Sequence, residues 1–315
     1  MDNNAFMRID INSLLNDHIT NFNLYIMYED NYVLFKSGDI EYTEKHKQKL
    51  LSKKLKLYIN SADKKKYILY IKQNLQRLAN DDSSGLEEKT KYFYDSSKVL
   101  ISQIFETDDR EDVIENVKTL SDSALNLLNS SGYNLKDILS IMQFEYSTYT
   151  HSLNVLMLAS SFVKNTGILD DKADIVAKGA LLHDIGKVKV DKKILLKPGK
   201  LDQFEWEIIR KHPLYGIELL ERFDSDMDPI VKNIVRHHHE RWDGEGYPDK
   251  LMGEEMPIEA RLVSICDVFD ALTSQRCYKS AIGSYPAFKI MLNEMSGAFN
   301  KDLIKSFMAM FKENE

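Results

Sequence analysis

The sequence predicts a mainly α protein, with an all-helical C-terminal bundle preceded by a small α/β N-terminal domain. Three observations predict it. From Leu86 onward apolar residues recur at spacings of three and four, the period of one helix face. Strict apolar alternation, the mark of a half-buried strand, is confined to roughly the first 75 residues. The 315 residues include only 13 glycines and 6 prolines, which argues against a β-sandwich or a long disordered tail. Leu, Lys, Glu, Ile and Asp dominate, and these suit helices better than sheets.

In the N-terminal part, Phe22, Leu24, Ile26 and Tyr28 alternate with other residues and read as a strand. Glu29-Asp30-Asn31 makes a turn, and Tyr32 to Phe35 returns as a second strand. Leu55 to Ile59 offers a third. Between them, Thr43 to Lys56 carries Lys45, Lys47, Lys49, Lys53, Lys54 and Lys56. A solvated helix face explains this stretch more simply than contact with an anionic surface. His18 and His46 have no partners in the sequence and read as surface residues.

Asn80 to Gly85 is polar and rich in breakers, a natural boundary. It closes a small α/β regulatory or dimerisation domain at 1–80. Helical patterns follow at Leu86–Phe105, Arg110–Leu128 and Leu135–Tyr149, and Asp108 or Asp109 is placed to cap the second. Region 86–140 is read as a helical linker, and region 141–315 as the domain that carries the chemistry. A homodimer, if one forms, would use the N-terminal or the helical region. From Ser152 the helical reading continues, interrupted at Pro198-Gly199, at Asp228-Pro229 and from Asp243 to Pro257.

Charge and composition narrow the partners. A net charge of −7 argues against a general nucleic-acid binder but leaves room for a small anion in a local basic pocket. Two cysteines, Cys266 and Cys277, cannot form a disulfide framework, so a reducing compartment is expected. No signal peptide is evident, and no apolar stretch approaches the ~18 residues that span a bilayer. A cytoplasmic protein without a membrane partner is the expectation.

Six of the eight histidines, His151, His183, His212, His237, His238 and His239, share one region with Asp184 and Asp267. A lone histidine on a helix is more often structural than a ligand. Several together, beside acids in apolar runs, point elsewhere. His183-Asp184 follows Ala180-Leu181-Leu182, and burying an imidazole beside a carboxylate is costly unless something compensates them. A divalent cation does so, and adjacent helical residues diverge by about 100°, enough to serve two ions. His238-His239 repeats the arrangement after the helix Ile230–His237. His151 lies in Thr150–Val155, His212 in Lys211-His212-Pro213, and Asp267 in the apolar run Leu262–Phe269. These nitrogen and oxygen donors are too many for one tetrahedral zinc. They suit two octahedral ions such as iron or manganese, ~3.5–4 Å apart.

His183-Asp184-Ile185-Gly186-Lys187, followed by His238-His239-Glu240-Arg241-Trp242-Asp243-Gly244-Glu245-Gly246-Tyr247-Pro248, resembles the HD-GYP family. These are bacterial cyclic di-GMP phosphodiesterases of the HD superfamily of metal-dependent phosphohydrolases. The similarity extends through Pro257–Arg261, Asp267–Leu272 and Arg276–Lys279, and covers roughly Tyr146 to Met310. It implies that His151, His183, Asp184, His212, His238, His239 and Asp267 are metal ligands, with Asp184 bridging and His237 outside the set. It implies that Lys187 meets a phosphate oxygen and that Tyr247, shaped by Gly246 and Pro248, stacks on a guanine. Arg276 and Lys279 would hold phosphates. Asp270 is grouped with the substrate residues, being one helical turn past Asp267 on the same face. The implied reaction opens a cyclic dinucleotide to linear pGpG, and in some family members cuts again to GMP.

The sequence also departs from the family pattern. Some members place a third-metal glutamate four residues before the first histidine; here that position is Ser147, and Glu145 is the nearest carboxylate, so two ions are expected. Cys266 replaces the small residue more usual before Asp267 and is read as a packed thiol. Asp243 to Pro248 would by itself be a turn, and Tyr247 would then pack on the domain. Three alternatives stay open: a silent cyclic-dinucleotide receptor signalling through Met1–Ala79, an enzyme preferring cyclic GMP-AMP, and a different HD hydrolase. The Gly244–Pro248 loop counts against the last.

Overall fold

The structure is a computed structural model that describes residues 5–79, 85–107, 109–130, 148–274 and 282–312. The chain divides into two compact units, Met1–Leu100 and Ile101–Glu315.

The first unit contains β1 (Phe6–Ile9), β2 (His18–Ile19), β3 (Leu24–Tyr28), β4 (Asn31–Lys36), β5 (Glu41–Tyr42), α1 (Glu44–Ser52), β6 (Leu57–Asn60), α2 (Lys64–Ala79) and most of α3 (Leu86–Glu106). The expected β3–β4 hairpin is present. Glu29 and Asp30 both take positive φ, 48° and 58°, which turns the chain tightly between Tyr28 and Asn31. The third expected strand is β6. It lies between β3 and a strand the sequence reading missed, β1, giving the antiparallel order β1-β6-β3-β4. Only four residues long, β1 is too short to show a period. Ile9, Leu24, Leu57 and Ile59 are buried, as are Leu50 of α1 and Tyr67 and Ile71 of α2. Phe6, by contrast, stacks on Tyr32 at 4.1 Å in a half-exposed aromatic row that includes Tyr25 and Tyr58.

The lysine-rich stretch forms α1 as a solvated helix. His46, expected at the surface, is half-buried because its Nδ1 accepts the Thr43 N–H (3.0 Å) and closes the helix N-terminus. His18 is half-buried as well, against Arg77.

The second unit is helical. It contains α4 (Arg110–Asn129), α5 (Thr148–Thr166), α6 (Ala173–Leu182), a 3₁₀ segment (Ile185–Lys189), α7 (Lys192–Leu195), α8 (Gln203–Ile209), α9 (His212–Phe223), α10 (Pro229–His237) and α11 (Ile258–Thr273). After these come α12 (Ser284–Lys289), a π-helical turn (Ile290–Glu294) and α13 (Lys301–Lys312). Asp109 caps α4 by accepting the Glu111 and Asp112 N–H groups, at 3.0 and 3.3 Å. The expected helix Leu135–Tyr149 falls largely outside the described residues.

Helix α6 packs against α4, α5 and α10, and α11 packs against α5 and α10. Behind α11, Phe269 meets Phe288 at 5.0 Å and Phe307 at 5.3 Å, and Phe162 meets Phe307 at 5.1 Å. Each buried ring contributes on the order of 2–3 kcal/mol, so this cluster anchors the helix that carries Asp267 and Asp270. Among the described residues no helix is long and apolar enough to cross a membrane.

Candidate metal centre

The chain is locally broken where several of the candidate ligands lie. His183 caps the C-terminal end of α6, and Asp184 (φ −99°, ψ 7°) opens the 3₁₀ segment. The His-Asp pair thus sits on a junction rather than inside a helix as expected. Gly186 permits the junction. A Cβ there would lie 1.9 Å from the His212 carbonyl oxygen and 2.5 Å from the Gly216 nitrogen, so only glycine lets this backbone press on the start of α9. His212 is the first residue of α9, His238 caps α10, and His151 and Asp267 lie within α5 and α11.

These elements bring the expected ligands together in two groups. His151, His183 and Asp267 form one; Asp184, His212, His238 and His239 form the other, and in each the donor atoms lie within 4.8 Å of one another. Asp184 touches both. Its Oδ2 is 3.4 Å from His183 Nε2 and 3.6 Å from His151 Nε2, while its Oδ1 is 3.2 Å from His212 Nε2 and 3.9 Å from His238 Nε2. His151 Nε2 lies 3.0 Å from Asp267 Oδ1, and His239 Nδ1 lies 3.8 Å from Asp267 Oδ2.

The donor set fits cations, and backbone chemistry shows why. His183 Nδ1 donates to the Ala180 carbonyl (2.8 Å), His212 Nδ1 to Ile209 (2.8 Å), and His238 Nδ1 to Ile234 and Val235 (3.1 Å each). A carbonyl only accepts, so the proton is on Nδ1 and the neutral ring has a bare Nε2. Bare nitrogens then face each other, His212 with His238 at 3.2 Å, and the bare Nε2 of His183 faces His151 Nε2 at 3.3 Å. They also face a carboxylate whose Oδ1 is buried without a hydrogen-bond partner. Lone pairs so arranged repel unless positive charge lies among them. The Irving–Williams metals that accept imidazole and carboxylate are the natural fill.

Burial alone would push the Asp184 carboxyl up, but Lys187 and His183 hold it well below the usual carboxylate range. Asp267 behaves alike: burial opposes, and His151 prevails to keep it low. Burial and neighbouring imidazoles push His238 far down, and burial with His212 takes His239 to about 3. Cys266 is fully buried and its thiol is pushed well up by burial, as a packed side chain would be.

Around the ligands, several residues have tasks the sequence reading placed differently or missed. Asp270, grouped above with the substrate residues, is wholly buried. Its Oδ2 pairs with His151 Nδ1 at 2.6 Å, and its Oδ1 accepts from Asn154 Nδ2 and Ser274 Oγ, both at 2.8 Å. The spacing of three from His151 to Asn154 and of four from Asp270 to Ser274 is the only sequence trace of this network. Lys187 Nζ lies 2.5 Å from Asp184 Oδ2. His237, left outside the ligand set, lies against Asp249, 3.4 Å from its Oδ2.

The loop after His239 is clamped from below. Buried Glu240 accepts the Asp249 N–H (2.6 Å) and the Leu251 N–H (3.2 Å). A Cβ on Gly246 would lie 2.4 Å from Arg241 N and Glu240 Cα, so the loop folds back on its own root only with glycine there. Tyr247, which precedes Pro248, has its ring on that of His239 (4.8 Å, 27°), and the Arg210 guanidinium lies 4.8 Å from the Tyr247 centroid. Arg276 and Lys279, and likewise Glu145 and Ser147, fall outside the described residues.

A family model described as HD domain matches residues 133–303, more than half of the chain. The chain belongs to the HD domain family. The His183-Asp184 pair that names the HD domain is the one at the junction of the two ligand groups. Curated relatives include the 3′3′-cGAMP-specific phosphodiesterase 2 of Vibrio cholerae serotype O1, 41% identical over 147 residues, 47% of this chain and 28% of that protein. The cyclic di-GMP phosphodiesterase response regulator RpfG of Xanthomonas campestris pv. campestris is 43% identical over 124 residues, 39% of this chain and 33% of that protein. The cyclic di-GMP phosphodiesterase of Thermotoga maritima is 33% identical over 169 residues, 54% and 46% of the two. The chain therefore matches less than half the length of each. Among solved structures, Bd1817, an HDG"Y"P protein from Bdellovibrio bacteriovorus, superposes with a TM-score of 0.71 at 23% identity, covering 98% of this chain and 99% of that one. That likeness places the fold: a mainly α HD domain protein with a small N-terminal sheet.

Proposed function

We propose that the chain is a metal-dependent phosphodiesterase that hydrolyses a cyclic dinucleotide, cyclic di-GMP first, and that it holds two divalent ions, iron or manganese. The observation that carries this is the pair of ligand groups sharing Asp184, with bare Nε2 atoms turned on one another across it. The names of the relatives supply the substrate class.

In this reading His151, His183 and Asp267 would hold one ion and His212, His238 and His239 the other, with Asp184 placed to serve either. The ions, when bound, supply Lewis acidity and lower the pKa of a water at neutral pH. Water adds to phosphorus, the P–O3′ bond breaks, and the 3′-oxygen leaves with a proton. The side chains set the geometry. Lys187, paired with Asp184, is assigned to a phosphate oxygen on the family motif. Asp270 fixes the His151 ring, and Glu240 with Gly246 holds the Tyr247 loop against His239. Arg276 and Lys279 are assigned to the phosphates on the family motif.

Cyclic GMP-AMP is the second reading, favoured by the Vibrio relative at 41% identity. The test is anaerobic purification, metal analysis, and turnover of both cyclic dinucleotides with added Fe(II) or Mn(II). Two metal ions per chain and a linear dinucleotide product are expected. Metal-loaded protein that yields no linear product from either substrate refutes the enzyme and leaves a receptor.

A further inference from the structure

We propose that Arg210 is a substrate-binding residue that holds the phosphate not being cut. The assignment rests on the phosphodiesterase reading and deepens it. Arg210 follows α8 directly, two residues before His212, and its backbone N–H donates to the Trp206 carbonyl at 3.0 Å. From this helix end its side chain reaches the Tyr247 ring. The guanidinium lies over Tyr247 and Tyr247 lies on His239, each at 4.8 Å, a run of rings that ends on a metal-ligand imidazole. Among the described residues its ionic neighbour is Glu207, with Nη1 at 3.5 Å from Oε1, too long for a bidentate pair. The Arg210 side chain keeps 30% of its surface open.

Charge points the same way. Residues 187–211 carry eight lysines and arginines against four acids, in a chain whose net charge is −7. A cyclic dinucleotide has two phosphodiester charges. One belongs at the shared carboxylate and its cations, and the other must lie beyond the ligand histidines. A guanidinium held over an aromatic ring and partly open to solvent suits bidentate phosphate binding. Lysine would keep the charge but lose both the stack and the fork.

The experiment compares parent, R210K, R210Q and R210A proteins on cyclic di-GMP, 3′3′-cGAMP and bis(p-nitrophenyl) phosphate, which has one phosphate and no second site to fill. Metal content and melting are recorded for each variant. For R210A, KM for the cyclic dinucleotide is expected to rise by about tenfold to hundredfold, the loss of a charge-assisted hydrogen bond. R210K should recover only part of this, and kcat/KM for the small diester should fall far less. Equal losses on both substrate types would overturn the assignment, because Arg210 would then act through Tyr247 and His239. Unchanged KM for the cyclic dinucleotide in R210A, R210Q and R210K would overturn it as well, while leaving the phosphodiesterase reading intact. A parent that cleaves the small diester but neither cyclic dinucleotide would sink that reading and Arg210's role with it.

Discussion

A single methyl group at Gly186 tests how the second ligand group is held. In Gly186→Ala the added Cβ would meet backbone on two sides, at 1.9 Å from the His212 carbonyl oxygen and 2.5 Å from the Gly216 nitrogen. Relief to even 3.0 Å moves the start of α9 away by about 1 Å. His212 Nε2 stands 3.2 Å from Asp184 Oδ1, and metal–ligand distances tolerate only about 0.2 Å. Overpacking of this kind costs about 1–3 kcal/mol. At about 2–4 °C per kcal/mol for a unit of this size, Gly186→Ala should melt several degrees lower yet stay folded. Activity should fall about a hundredfold, since a 1 Å misplacement is enough for that. Metal per chain should drop by about half as the His212, His238 and His239 group empties. Gly216→Ala is the comparison: its Cβ meets a side chain, Val235 Cγ1 at 2.6 Å, with the nearest backbone atom, Gly186 N, at 3.6 Å. The assays are metal analysis of anaerobically purified protein, thermal melting by circular dichroism, and turnover. Full metal content and parental turnover in Gly186→Ala would refute the idea that this close approach positions His212.

Three further outcomes are expected. Asp270→Ala should weaken the ion held by His151, His183 and Asp267 by about 10- to 100-fold, with Asp270→Asn recovering part of it, as metal titration would show; equal affinities would refute the orienting role. Chelation should lower the melting temperature by about 5–10 °C, from about 2.7 kcal/mol of binding stabilisation at a hundredfold excess over Kd, and calorimetry with no shift would count against preformed metal groups. Arg241 holds the Asp243 carboxyl below its ordinary 3.8, so their pairing stabilises the loop above that pH and is lost as pH falls through the depressed value. Being partly exposed, it is worth at most about 1 kcal/mol, seen as acid loosening in Trp242 fluorescence that Asp243→Asn should abolish.

Much of this arrangement can be read in the chain itself, for identifiable reasons. The β3–β4 hairpin shows because Glu29-Asp30-Asn31 interrupts two alternating runs. The candidate ligands stand out because an acid in an apolar run, such as Asp267, needs a partner. The sequence does not show that His183-Asp184 straddles a helix end, because the cause is steric and distant: Gly186 is pressed by residues 26 and 30 positions further on. Asp270 looked like a second substrate acid because helical spacing gives a face but not what covers that face. His151 and Asn154, more than a hundred positions away, cover it. Glu240 reads as one more charge in a motif until its two oxygens are seen to take the Asp249 and Leu251 N–H groups.

One device recurs three times and explains why scattered histidines can form a centre. The last carbonyls of a helix have no intrahelical donor. His183, His212 and His238 each follow the end of a helix, α6, α8 and α10, and each Nδ1–H takes a carbonyl three or four positions back. That bond satisfies the helix end and at once fixes ring orientation and tautomer. A histidine within a helix has no such carbonyl to spare, and His151, within α5, needs the Asp270 carboxylate instead. The difference is chemical: an anionic partner raises the basicity of His151 Nε2 above that of the carbonyl-bound rings. The ion on the His151 side should therefore be the tighter of the two, and stepwise chelation followed by metal analysis should remove the other first.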